Sequence, residues 1–274
     1  MDFDPEIYDN SNNDTLIPAK RLIKIISELK PNNNKFSLIL DIGCGSGNMT
    51  KLLADEIECD HIIGCDIDQK MIEYAKRENK KSNIDYLVQD IQRDWLDFNT
   101  ELKDLKGKVS VITSNFALTW IHDIKTTAEN LSHLISDDGL LVLNIVYDGD
   151  IYDRLEPNER LLAEKCLKYP TEEEMIGKWI TCLKKSGFKQ IDITYWEPKS
   201  IFNEKLYFEE YLNIPMNWYK SYAKHSNGIT MEMNELLKRL LIEDRCKPLN
   251  VNYSDGQNMI EVTNYIWQII ATKC

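Results

Sequence analysis

Ser37-Leu38-Ile39-Leu40-Asp41-Ile42-Gly43-Cys44-Gly45-Ser46-Gly47 is the stretch that decides the fold. A short apolar run ends on an aspartate and three alternating glycines, which reads as a buried strand entering a tight loop. Met49, Leu52, Leu53 and Ile57 then recur at helical spacing. Strand, glycine turn and helix in that order form the opening unit of an α/β sheet.

Upstream, Leu16, Ile17, Leu22, Ile23, Ile26 and Leu29 share a helical period, and Pro31 follows as a stop. Downstream, His61-Ile62-Ile63-Gly64-Cys65-Asp66 is a second strand that also ends on an aspartate. Asp68 is placed to cap a helix carrying Met71, Ile72 and Ala75. Ile84–Val88 and Val109–Ser114 read as the third and fourth strands, and a helix is expected from about Ile124 to Ile135. Asp137-Asp138-Gly139 reads as a turn before the strand Leu140–Ile145. Strands and helices alternating in this way predict a parallel sheet covered on both faces.

After Val146 the pattern changes. Helices are expected at Pro157–Leu167 and, capped by Thr171, through Leu183, where Gly187 ends the run. Ile191–Trp196 reads as a strand, Phe202–Leu241 as aromatic-rich helix, and Tyr265–Ala271 as a closing strand. No Gly/Pro/Ser-rich linker separates these parts. One domain over 1–274 is expected, with an N-terminal helical lid at about 1–30, a core at about 36–146, helical additions at about 150–260 and a closing strand at 262–274.

Apolar residues make up 43% and charged residues 28%, the balance of a globular chain. No apolar run approaches the roughly 18 residues of a membrane span. The acidic start, Met1-Asp2-Phe3-Asp4-Pro5-Glu6, lacks the basic and apolar regions of a secretory signal. The seven cysteines are scattered without C-x-x-C spacing, so free thiols in a reducing cytoplasm are expected. A net charge of −12 disfavours a phosphate backbone as partner. The histidines have no metal-ligand spacing and no G-x-S-x-G elbow appears, so no metal site is expected. The oligomeric state is not written in these patterns.

Three glycines between a strand and a helix let a ligand approach the backbone at the carboxyl ends of the strands. Asp66 can accept from both hydroxyls of a ribose, and Asp90, after the third strand, is placed for an adenine amino group. The competing reading is a nicotinamide-binding turn, G-x-G-x-x-G. Here the spacing is G-x-G-x-G, with Asn48 in the third glycine's place. Asp41 opens the segment, and a carboxylate there suits a sulfonium and an ammonium better than a pyrophosphate. Cys44, with no histidine near it in sequence, reads as a small packing residue.

LDIGCGSGNMT, IIGCDIDQKMIEYA and VQDIQRDW resemble the first three motifs of class I methyltransferases. Ser114-Asn115-Phe116-Ala117-Leu118-Thr119-Trp120-Ile121 is similar to the S-x-x-x-L-x-W-V element of arthropod juvenile hormone acid methyltransferases and bacterial trans-aconitate methyltransferases. Ile7–Ser11 and Tyr211–Pro215 also look like that group, and the resemblance is sharpest over about 38–145. It implies a Rossmann-like α/β fold, a seven-stranded, mostly parallel sheet whose antiparallel strand is the C-terminal segment, with helical cap additions on the substrate side. It implies S-adenosylmethionine as cofactor: Asp41, Gly43, Cys44, Gly45 and Gly47 around the methionine part, Asp66 on the ribose with Ile67 and Met71 beside it, Asp90 and Ile91 framing the adenine, and Asn115 after the fourth strand. It also implies methyl transfer to the carboxylate of a farnesoid or similar small acid. Trp120 matches a substrate-region tryptophan of that group. Ile17 lies near the place of an amide in the group, and Thr119 stands where a histidine is common.

A carboxylate acceptor is ionised at neutral pH and needs no general base. Alignment and exclusion of water then suffice, which fits the lack of an acid–base constellation. A hydroxyl or amine acceptor would more often need a base, and His122 is the nearest candidate. Trp120 is placed to wall the acceptor pocket or to pack the following helix. Aromatics from Phe202 to Tyr222 read either as an apolar lid or as core. Two further readings remain: a cofactor-binding protein without turnover, and a nicotinamide-dependent dehydrogenase.

Overall fold

The computed structural model describes residues 5–10, 13–29, 35–147, 154–168, 170–224, 228–249 and 258–273. They group into two compact units: Met1–Val146 with Ile176–Trp196 and Ile266–Cys274, and Tyr147–Met175 with Glu197–Tyr265. The strands, in chain order, are β1 Phe36–Ile42, β2 Cys59–Asp66, β3 Ile84–Val88, β4 Val109–Asn115, β5 Ile135–Val146, β6 Phe188–Trp196, β7 Lys199–Asn203, β8 Cys246–Leu249, β9 Met259–Thr263 and β10 Ile266–Lys273.

In the first unit seven strands form one sheet in the order β3-β2-β1-β4-β5-β10-β6. β1 to β5 are mutually parallel, and β10 runs antiparallel to both β5 and β6. The fold is the Rossmann-like, mostly parallel one expected, with the C-terminal strand reversed. The sheet reverses strand order between β1 and β4, so its ligand crevice lies at the carboxyl ends of these two strands. β1 reads as an almost continuous apolar run because both of its faces are covered: Ile39 and Leu40 are fully buried. The helices Asn13–Glu28, Asn48–Glu56 and Gln69–Glu78 add Leu22, Ile26, Leu53 and Ile72 to that core. Asp68 caps its helix as expected, accepting from the Lys70 N–H at 2.8 Å.

Two expectations are corrected here. In the Asn13–Glu28 helix the buried face is Ala19, Leu22, Ile23 and Ile26, whereas Leu16, Ile17 and Leu29 are 41%, 44% and 49% exposed. One helix face is too narrow to bury all six apolar positions, and Leu16 turns instead toward the cleft described below. Pro31, the expected stop, lies outside the described residues. Asp137-Asp138-Gly139 is not a turn ahead of a strand but a bulge within β5. Ile135 pairs with Val109 and Leu140 with Val111, and Asp138 takes φ 60°.

The second unit holds the antiparallel sheet β7-β9-β8 and the helices Pro157–Cys166, Asn213–Ser221 and Met231–Arg245. Within Phe202–Leu241, Phe202 belongs to β7, and the described helical stretches run from Glu204 to Ser221 and from Met231 onward. Phe202 packs on Tyr207 and Tyr211 at 5.3 and 5.1 Å between ring centroids. With Tyr219 these rings are buried as the unit's own core.

Candidate functional site

The turn after β1 is held by its neighbours. The N–H groups of Gly43 and Cys44 both donate to the Cys65 carbonyl of β2, at 2.7 and 3.0 Å. Gly43, Gly45 and Gly47 take φ 67°, 53° and 87°, and Gly47 opens the Asn48–Glu56 helix in the left-handed conformation. The Thr50 hydroxyl, in the first turn of that helix, donates to Asp41 Oδ2 at 2.6 Å. Asp66 is gripped by backbone on both oxygens: Gly45 N–H donates to Oδ2 and Asp68 N–H to Oδ1, each at 2.9 Å.

A cleft of about 330 Å³ opens beside this turn. Asp41, Gly43, Cys44 and Asn115, four of the residues singled out in the sequence, line it. Gly45 and Asp66 are not among its lining residues and are held to each other by a hydrogen bond. The others stand as follows. Asp90 spends Oδ1 on the Gln92 N–H, closing a turn. Ile91 and Met71 are buried, while Ile67 is 64% exposed. Trp120 ends the 3₁₀ turn Ala117–Trp120 and is half-buried. His122 is exposed, with its backbone N–H on the Gln92 side chain. Neither Trp120 nor His122 is among the cleft's lining residues.

Sequence reading placed a helical lid at about 1–30 but named none of its residues among those of the site. Tyr8, Asp9, Thr15 and Leu16 line the cleft together with Ser46 and Asn48. Tyr74 O–H donates to Asp9 Oδ2 at 3.1 Å, and Oδ1 is buried with no donor among the described residues. The available signal was the resemblance over Ile7–Ser11, which contains Tyr8 and Asp9.

The electrostatics are those of an acidic, buried floor. Asp41 is 1% exposed and no cation lies beside it among the described residues. Burial pushes its carboxyl up to about 7, with the Asp66 charge acting in the same sense and the Thr50 hydroxyl opposing both. Burial also raises Asp66, against the two backbone N–H groups that favour its charge. The buried Cys44 thiol is raised by burial and by the two carboxylates, so it stays neutral.

Residues 39–139 match the family described as a methyltransferase domain. That match spans somewhat over a third of the chain, and over it the chain is similar to methyltransferases of this class. It is similar to malonyl-(acyl-carrier protein) O-methyltransferase of Acetivibrio thermocellus, 33% identical over 106 residues, covering 39% of this chain and 34% of that protein. It is also similar to juvenile hormone acid O-methyltransferase of Bombyx mori, 28% identical over 127 residues, 44% of each chain. The chain thus matches between a third and a half of the length of these curated relatives. Phosphoethanolamine N-methyltransferase 2 of Haemonchus contortus, solved with phosphomonomethylethanolamine and S-adenosylhomocysteine, shares the fold. Its TM-score is 0.56 at 15% identity, over 98% of this chain and 57% of that one.

S-adenosylmethionine is the methyl donor of this class, and the cleft fits it. A buried carboxylate without a protein cation, Asp41, suits a ligand that brings its own positive charge. The backbone at Gly45 leaves room as well. A Cβ there would meet nothing nearer than Tyr8 Cε1 at 3.5 Å, so no protein packing demands the glycine. Gly45→Ala is therefore expected to cost about 1 kcal/mol of stability, from its left-handed φ alone. It should weaken S-adenosylmethionine binding by about tenfold or more, because the methyl group enters space beside the cleft. Thermal denaturation and calorimetric titration of the same variant check the two parts.

Proposed function

We propose that the chain transfers a methyl group from S-adenosylmethionine to a carboxylate oxygen of a small, apolar acid. The observation that carries the cofactor half is Asp41: buried, at the glycine turn, and without a cation of its own. Asp41 would hold the positively charged end of the cofactor. Asp66, already oriented by two backbone N–H groups, would accept from the ribose hydroxyls, and Asp90 with Ile91 would frame the adenine. When bound, the cofactor supplies a methyl group already activated on a sulfonium. What remains for the protein is to align an acceptor oxygen and keep water out.

The acceptor half is supported by the relatives, which are named for O-methylation of malonyl-acyl-carrier protein and of juvenile hormone acid. An ionised acid needs no base, which agrees with a cleft whose described lining holds no histidine or lysine. A net charge of −12 favours a small molecule over a nucleic acid. Among the described residues no helix is long and apolar enough to cross a membrane. The six described cysteines are free, in keeping with a reducing compartment such as the cytoplasm. Trp120 and His122 are proposed for acceptor positioning, with His122 called upon only if the acceptor carries a proton. One observation favours a second reading: Asp9 adds another carboxylate to the cleft, which suits an amine acceptor.

Transfer of tritiated methyl to a panel of farnesoic acid, a saturated fatty acid, aconitate and a primary amine tests both. A base-labile methyl ester from an acid is the expected product. A base-stable product from the amine alone would replace the carboxylate reading with the amine one, and transfer to neither would remove both.

A further inference from the structure

Asn144 in β5 and Gln268 in β10 are polar side chains set within apolar runs, and both are fully buried. They are cross-strand partners, and Asn144 is also the partner of Asn115 in β4, so three amides stand in one row across the sheet. Each touches the next. Arg21 Nε donates to Gln268 Oε1 at 3.3 Å, and Gln268 Nε2 donates to Asn144 Oδ1 at 3.0 Å. Asn144 Nδ2 donates to Asn115 Oδ1 at 2.9 Å and to the Pro18 carbonyl at 3.2 Å. Asn115 Nδ2 donates to the Thr15 carbonyl at 3.1 Å.

The direction of this chain follows from valence. A guanidinium only donates and a backbone carbonyl only accepts, while each amide between them has one end of each kind. Arg21 at the head and the Thr15 and Pro18 carbonyls at the tail impose the same sense on every amide. Reversing one would set oxygen against oxygen in a place that water does not reach. Head and tail belong to the same helix, Asn13–Glu28, so the row also clamps that helix over the sheet. The Arg21 guanidinium is itself fixed, 4.4 Å above the Trp196 ring.

Asn115 is where the row meets the cleft. Its Oδ1 is occupied by Asn144 and one amide hydrogen by Thr15, which leaves one N–H for the cleft. We infer that Asn144 and Gln268 are positioning residues that fix Asn115 as a hydrogen-bond donor toward a carboxylate oxygen of the ligand. This rests on the cleft holding a methyl donor and an acid. The oxygen belongs either to the amino-acid end of the cofactor or to the acceptor, and the same chemistry serves both.

The test uses the 274-residue chain and three readouts: the S-adenosylmethionine Kd without acceptor, the acceptor KM and kcat, and Tm. Asn115→Asp replaces the offered N–H by an oxygen, at a half-buried position that tolerates a charge. Gln268→Glu acts from a distance. A carboxylate there pairs with Arg21, cannot donate to Asn144, and turns the row around. Both variants are expected to raise the S-adenosylmethionine Kd, or the acceptor KM at unchanged Kd, by about 10- to 100-fold. The first pattern assigns the oxygen to the cofactor and the second to the acceptor, with kcat changing less than either. In an Asn115→Ala background Gln268→Glu should then add less than about twofold, because its route to the ligand is gone. The inference is overturned if Asn115→Asp leaves both constants within about twofold of wild type. It is overturned equally if the Gln268→Glu effect multiplies undiminished in the Asn115→Ala background. Failure of the wild-type chain itself to bind S-adenosylmethionine would instead count against the proposed function.

Discussion

Replacing Asp41 by asparagine is expected to weaken S-adenosylmethionine binding by about 30-fold or more while leaving the free protein as stable as before, or more so. The two signs differ for one physical reason. In the free protein the carboxylate is buried with only the Thr50 hydroxyl for company, and burial holds its pKa up at about 7. Relative to an unfolded value near 3.9, the folded state prefers the protonated form. Stability from this group is therefore fully present below about pH 4 and is lost as pH rises toward 7, by about 4 kcal/mol in all. An asparagine keeps the acceptor for Thr50 and removes this loss, at a smaller cost for its amide. A cationic ligand reverses the balance, since it favours the ionised carboxyl and its binding must release the proton below pH 7. Affinity is expected to fall about tenfold for each pH unit below 7 and to level off just above it. In Asp41→Asn that slope should vanish. Titrations at pH 5.5, 6.5 and 7.5 on both proteins read the slope directly. Equal affinities across the two proteins would separate Asp41 from the cofactor.

The second large effect is structural. At Gly43 a Cβ would fall 1.9 Å from the Cβ of Ala117, and the backbone there is left-handed. Gly43→Ala adds a left-handed penalty of about 1–2 kcal/mol to an overlap of about 1–3 kcal/mol. A total of about 3 kcal/mol or more corresponds to a fall in Tm of roughly 10 °C for a chain of this size. The contrast with Gly45→Ala is informative, because Gly45 has an open side and should lose binding rather than fold. A Gly43→Ala protein that melts with the wild type would mean that the turn after β1 yields more easily than its two hydrogen bonds to Cys65 imply.

Much of this architecture was legible in the chain because the inner strands are buried on both faces. Leu38–Leu40, Ile62–Ile63 and Leu140–Leu143 are continuous apolar runs, each bounded by a glycine or an acid. Such runs carry their meaning locally, as does the cap at Asp68. The sheet β7-β9-β8 is the opposite case. Lys199–Asn203 pairs with Met259–Thr263 across some sixty residues of chain, and Cys246–Leu249 is short and contains Pro248. Alternation in β7 between exposed Ile201 and buried Phe202 looks, in sequence alone, like one turn of the aromatic helix beyond it.

The site divides in the same way. Asp41, Gly43, Cys44 and Asn115 come from strand ends whose order fixes where they meet. Asp9 and Thr15 come from helices whose facing depends on how they dock, which no local period encodes. Asn144 and Gln268 were visible as polar residues inside apolar runs, and their significance emerges only when β4, β5 and β10 stand side by side.

The central claim is that the cleft beside Asp41 takes S-adenosylmethionine, and calorimetric titration of the full chain at pH 7.5 tests it most directly. Saturable one-to-one binding, competed by S-adenosylhomocysteine and untouched by nicotinamide dinucleotides, is the predicted result. Absence of binding, or displacement by a nicotinamide dinucleotide, would contradict it.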